Sequence, residues 1–205
     1  MVFSKILLSV FSAFIMSSGI QAQDIPFPLD KACVAWKTKK TMFLFKRENP
    51  IGINCKIDVS FKADETGKGY VIILTAPIKN FDSGNEHRDK DVFEILGGPK
   101  QADIIVTTAS YSKEDWLVML DGLGILDLNM KLAGETFTLN IPIEMNNDLM
   151  SGNMRANFSD FNIKAPKVAF GLVASVAENL DLAFSIPRSE IKGLSEAISL
   201  EKAGN

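Results

Sequence analysis

Much of the chain alternates apolar and polar side chains with a period of two, the spacing of strands with one buried and one wet face. Along 53–61, Ile53, Cys55, Ile57, Val59 and Phe61 fall on one side and Asn54, Lys56, Asp58 and Ser60 on the other. Leu126, Leu128, Met130 and Leu132 alternate with Asp127, Asn129 and Lys131. After an Ala133-Gly134-Glu135 turn, Phe137, Leu139, Ile141 and Ile143 alternate with Thr138, Asn140 and Glu144. Met154, Ala156 and Phe158 share a face, and Leu180, Leu182, Phe184 and Ile186 alternate with Asp181 and Ser185. Weaker alternation predicts strands over 104–108 and 116–120, and the segments around Trp36 and over 71–74 are strand-like.

These strands follow one another through short Gly/Asn/Asp turns with no regularly interleaved helices. That order predicts an antiparallel meander and argues against a βαβ sheet. A sheet of about eight strands must hide its edges, and rolling into a barrel removes them. The interior of such a barrel takes side chains or one small ligand. The fold class expected is therefore all-β, an antiparallel barrel of about eight strands in a single domain.

Two helices interrupt the pattern. Ser83-Gly84-Asn85-Glu86 reads as a capping box opening a helix near 84–96. Val92, Ile95 and Leu96 share its apolar face, and Gly97-Gly98-Pro99 ends it. A second helix is expected over about 190–202, with Ile191, Leu194 and Ile198 on one side.

The N-terminus changes the picture. Lys5, an apolar run over 6–16 and small residues up to Ala22 form a signal-peptide pattern over 1–22, cut near Ala22. The run is too short to span a bilayer, which needs about 20 residues. Removing it leaves 183 residues with 21 basic and 25 acidic side chains. This mildly acidic, mixed balance offers no electrostatic case for nucleic acid or an anionic membrane surface. The organisation expected is a signal peptide over 1–22, a barrel domain over 23–187 and a tail over 188–205.

Two cysteines in an exported chain make a disulfide the first guess. Strand alternation points the other way, because it sends Cys33 outward and Cys55 inward. A bridge needs both Cβ atoms on one side. It is expected only if Cys33 precedes its strand, and the choice stays open here.

Catalytic material is scarce. His87 is the single histidine, and no G-x-S-x-G elbow presents a serine. Asp82, Glu86, His87, Asp89 and Asp91 crowd together without metal-ligand spacing. They read as the acidic first turn of a helix, suited to its positive dipole end. No enzyme, metal site or cofactor is expected.

The run Asn80-Phe81-Asp82-Ser83-Gly84-Asn85-Glu86-His87-Arg88-Asp89-Lys90, followed by Val92-Phe93-Glu94-Ile95-Leu96, resembles the S-G-N-x-x-R-D segment of the YceI-like family. The resemblance continues through Leu128-Asn129-Met130-Lys131-Leu132 and the Gly134 hairpin, through Phe158-Ser159-Asp160-Phe161, and into the closing strand at 180–186. It covers about residues 32–187. It implies a lipocalin-like periplasmic barrel whose elongated cavity holds a polyisoprenoid or fatty-acid-like lipid. The residues then expected to line the cavity are Trp36, Ile57, Val59, Phe61, Val106, Leu128, Phe137, Leu139, Phe158 and Phe184. Asn85, His87 and Arg88 would meet a head group at the mouth. The other reading is a filled barrel, structural or stress-related, that works through protein partners. Oligomeric state is left open.

Overall fold

The computed structural model describes residues 25–42, 46–168 and 174–199. The expected signal peptide lies outside them. Eleven strands form one sheet: β1 (Cys33–Met42), β2 (Lys46–Glu48), β3 (Ile51–Asn54), β4 (Asp58–Ala63), β5 (Tyr70–Pro77), β6 (Asp103–Thr108), β7 (Leu123–Leu132), β8 (Glu135–Asn146), β9 (Leu149–Asn157), β10 (Lys167–Val168) and β11 (Ala174–Pro187). The main path runs β2-β1-β11-β9-β8-β7-β6-β5-β4, with β3 on β1 and β10 on β11. Every strand pairing is antiparallel, as the meander predicts.

Local chemistry sets the register. Ala133 and Gly134 between β7 and β8 have φ of 54° and 88°. Two consecutive left-handed residues make a turn whose twist matches that of its strands. Asn147 and Asp148 do the same between β8 and β9, at 49° and 63°; their short polar side chains tolerate this region. Leu126, Leu128, Met130 and Leu132 are buried while their odd-numbered neighbours are exposed, so the period-two reading of β7 holds residue by residue.

The seam of the sheet is built differently from the expectation of one continuous strand over 53–61. β3 pairs with β1, and only three residues later β4 pairs with β5. The ladder stops between them. The two ends of the sheet are thus successive halves of one bent stretch of chain. Asn54, fully buried, holds the bend: its Nδ2 donates to Pro77 O at 2.9 Å, and its Oδ1 accepts from Lys56 N at 2.8 Å. Ile53 also exchanges backbone hydrogen bonds with Asp82.

The bend reverses which residues point inward. A Cβ on Gly52 would lie 2.4 Å from the Trp36 indole, so Gly52 faces the interior, whereas past the bend Val59 and Phe61 do. Ile53 and Cys55 therefore do not share a face with Val59, contrary to the alternation. In the β1–β3 register Val34 opposes Asn54, which sets Cys33 across from Cys55 on the outer side. The two form a disulfide. The stated condition for a bridge, Cys33 ahead of its strand, is not what allows it, since Cys33 is the first residue of β1.

Among the described residues three α-helices decorate the sheet: α1 (Glu86–Ile95), α2 (Lys113–Met119) and α3 (Leu194–Ser199). α1 matches the expected helix with a different cap. Asn85 is the N-cap, accepting from Arg88 N, while Ser83 bonds Asp89 and Arg88 instead. α2 replaces the strand expected over 116–120. Ser112 accepts from Asp115 N, and Trp116, Met119 and Leu120 recur at helical spacing on the buried side. The short helix at Phe158–Phe161 likewise ends the β9 alternation one residue before Phe158.

The expected C-terminal helix begins at Leu194 rather than near residue 190. Before it, Lys192 joins the outer edge of β4 through Lys192 N to Val59 O and Phe61 N to Lys192 O. Ile191 and Leu194 are buried there, and Lys192 pairs with Asp58. An edge that would otherwise expose unpaired backbone is covered.

Candidate functional site

α1 lies in the β5–β6 connection and α2 in the β6–β7 connection, so in a meander they mark opposite ends of the barrel. The α2 end is filled. Trp116, fully buried, donates from Nε1 to Tyr70 O at 2.9 Å. Phe61 stacks on Tyr70 with centroids 5.0 Å apart and meets Trp116 edge-on at 5.4 Å. Tyr111 contacts Trp116 edge-on as well, and burial pushes its phenol above the usual value.

Above this plug the barrel is hollow. A cavity of about 370 Å³ runs along the strands to α1, lined mostly by aliphatic side chains. Its wall on β7 carries Leu126, Leu128, Met130 and Leu132, a run of about 20 Å at 3.3 Å per residue. Its volume lies within the range of about 300–1,000 Å³ of small-molecule pockets.

Six of the ten residues expected to line a cavity do so: Trp36, Val106, Leu128, Leu139, Phe158 and Phe184. Ile57, Val59, Phe61 and Phe137 do not. Phe61 belongs to the aromatic plug, and Val59 is buried in the core beside it on β4. Ile57 lies in the bend and packs partly buried against the core. Phe137 is turned edge-on against Phe161, centroids 5.4 Å apart. An inward apolar side chain looks the same in sequence whether it borders packed rings or empty space.

The sequence reading missed the whole β5 wall, Ile72, Leu74 and Ala76. Val71-Ile72-Ile73-Leu74 is apolar on both faces, so alternation gives no phase there. It also missed the helical contribution of Val92, Ile95 and Leu96 to the lining, although their shared face was legible.

Asn85, His87 and Arg88 all border the cavity, at its α1 end. Arg88 spends two donors on one residue: Nε to Ser83 Oγ and Nη2 to Ser83 O, both at 2.7 Å. Asp89 accepts from the same serine through its hydroxyl and its backbone N–H. Because Gly84, with φ of 72°, lies between Ser83 and the helix, these bonds latch α1 to the preceding segment. Lys40, on the inner face of β1, borders the cavity too. Nearby, the Lys46 ammonium holds the Glu48 carboxyl below its usual range by hydrogen bond and charge, with smaller help from Lys40 and Arg88.

Among the buried polar side-chain atoms of the described residues, Trp36 Nε1 alone has no hydrogen-bond partner. The indole edge lies over Gly52, where any side chain would collide with it. No group of three His, Cys, Asp or Glu side chains among the described residues could hold a metal ion. No helix among them is long and apolar enough to cross a membrane.

No family profile matches the chain, and no curated protein matches it in sequence. Solved structures do. Burkholderia cenocepacia BcnA superposes with a TM-score of 0.50 at 13% identity, covering 73% of this chain and 94% of its own. A polyisoprenoid-binding domain from Saccharophagus degradans covers 77% and 97%, at 10% identity and a TM-score of 0.48. A Campylobacter jejuni YceI protein covers 90% and 96%, at 14% identity and a TM-score of 0.47. Identity this low speaks to architecture alone, and at that level the resemblance read from the sequence stands: the chain has the fold of the YceI-like proteins.

Proposed function

We propose that this protein binds a long apolar amphiphile, a polyisoprenoid or fatty-acid-like lipid, inside the barrel and performs no chemistry on it. The observation that carries this reading is the hollow, aliphatic-lined interior between the aromatic plug and α1. Each buried methylene contributes about 0.8 kcal/mol, so one five-carbon isoprene unit yields about 4 kcal/mol before ordering costs. A few such units suffice for tight binding with no strong polar contact. Asn85, His87 and Arg88 border the end from which a head group would emerge, and with two Arg88 donors already engaged they contribute modestly. A lipid carried or stored in this way fits the bacterial periplasm, which the N-terminal pattern over 1–22 also favours.

Organic extraction of the purified mature protein followed by mass spectrometry is the test. A copurifying lipid, lost from a Leu139→Asp variant that still folds, is the expected result. Empty extracts, together with no uptake of polyprenyl or fatty-acyl probes, would refute lipid binding. Intact mass of protein taken from the periplasm checks the export claim, and a full-length mass would contradict it.

A further inference from the structure

A second surface lies at the opposite end from the cavity mouth and has no part in the reading above. Most large apolar side chains of the described residues are buried or half-buried, yet four within nine residues are exposed: Leu117 and Val118 on α2, and Leu123 and Ile125 on the outer face of β7. Val118, Leu123 and Ile125 are 70%, 76% and 63% exposed. Ile125 sits opposite Pro142 on β8, also exposed, so the apolar area extends onto the neighbouring strand. Isolated exposed apolar residues are ordinary, but a cluster with a polar rim marks an interaction site.

The rim is acidic. Glu114 and Asp115 flank the cluster on α2, Asp121 lies in the turn after it, and Asp127 and Glu144 border it on β7 and β8; all five are exposed. Glu144 sits directly across from Leu123. Asp115 and Asp127 also hold local hydrogen bonds, from Ser112 and Asn140. Two cations stand at the margin, Lys113 and Arg188, and Arg188 is 3.8 Å from Asp148. Beside them a shallow depression is lined by Leu117, Val118, Leu120, Asp121 and Arg188.

This charge pattern selects among occupants. A two-fold pairing of this face with a second copy would set the same carboxylates against each other. An anionic lipid surface would be repelled for the same reason. A partner with apolar side chains inside a basic rim gains on both counts. We propose that the α2–β7 face docks a protein segment whose apolar residues are flanked by Lys and Arg. Because the face lies at the plugged end, such a partner leaves the cavity mouth free.

The test uses the mature chain and two synthetic peptides with identical apolar residues, one interspersed with Lys and the other with Glu. Titration followed by backbone NMR shifts is expected to show the Lys peptide perturbing α2 and the first half of β7, more weakly as salt rises. A Val118→Asp/Ile125→Asp variant should bind it at least about tenfold more weakly, which is 1.4 kcal/mol. A Glu114→Gln/Asp121→Asn/Glu144→Gln variant should lose most of the salt dependence. All five side chains are exposed, so unchanged melting temperatures confirm that both variants are folded. Equal binding of both peptides, shifts elsewhere on the barrel, or no binding would overturn the proposal. So would cosedimentation with phosphatidylglycerol vesicles in place of peptide binding, or self-association that Ile125→Asp abolishes.

Discussion

At the α2 end of the barrel, Trp116, Phe61, Tyr70 and Tyr111 fill the cross-section with ring contacts. Toward α1, Leu128, Leu139 and Leu182 border empty space. The difference lies in where the side chains come from. Aliphatic residues on the strand walls do not reach across the barrel, so strands alone leave it hollow. Trp116 and Tyr111 come from the β6–β7 connection, and they close the section that the strands leave open. One end is therefore packed and the other hollow.

The contrast can be broken most severely at the plug. Trp116→Ala removes a fully buried indole and its hydrogen bond to Tyr70 O, and should cost about 3–5 kcal/mol in urea denaturation. Replacing both Cys33 and Cys55 by Ala should cost about 3 kcal/mol, the closure entropy of a loop whose ends lie 22 residues apart. At the other end Leu139→Trp grows into space already present. It should change stability by less than about 1 kcal/mol while emptying lipid extracts. A loss as large as that of Trp116→Ala would show that the hollow half is as tightly packed as the plug.

Arg88→Ala should be smaller still, about 1 kcal/mol from the Ser83 bonds, with lipid affinity falling less than tenfold. The smallest effect is a pH dependence at the loop after β4. Hydrogen bonds from Ser110, then Thr66, lower the Asp64 pKa from 3.8 to about 2. Its contribution is complete above about pH 4 and is lost as pH falls through about 2. The stability gap between wild type and Asp64→Asn, read from melting temperature against pH, should close over that window.

The β7–β8 hairpin was legible because one face is wet, which leaves a clean alternation; β11 alternates in sequence although Ser185 on its polar side is buried. The run at 116–120 misled for a physical reason: Trp116, Val118 and Leu120 satisfy a period of two, while Trp116, Met119 and Leu120 satisfy a helical one. Ser112 with Asp115 was the cap signal that separates them. The stretch over 53–61 misled differently, since alternation continues across the bend while the inward face changes sides. Leu128 and Leu139 could be named as lining because β7 and β8 alternate cleanly. Val59 and Phe61 carry the same pattern, and the Trp116 ring brought by a distant connection makes Phe61 part of the plug.

The Cys33–Cys55 bond has a consequence for how the chain arrives at its structure. The two thiols oppose each other only in the register that places Val34 across from Asn54. A slip of one residue exchanges the faces of a strand and would carry one thiol to the other side. Oxidation therefore acts as proofreading: it seals β1 to β3 only when these two strands have paired in the correct register, and leaves a misaligned chain with two free thiols that an alkylating reagent would count.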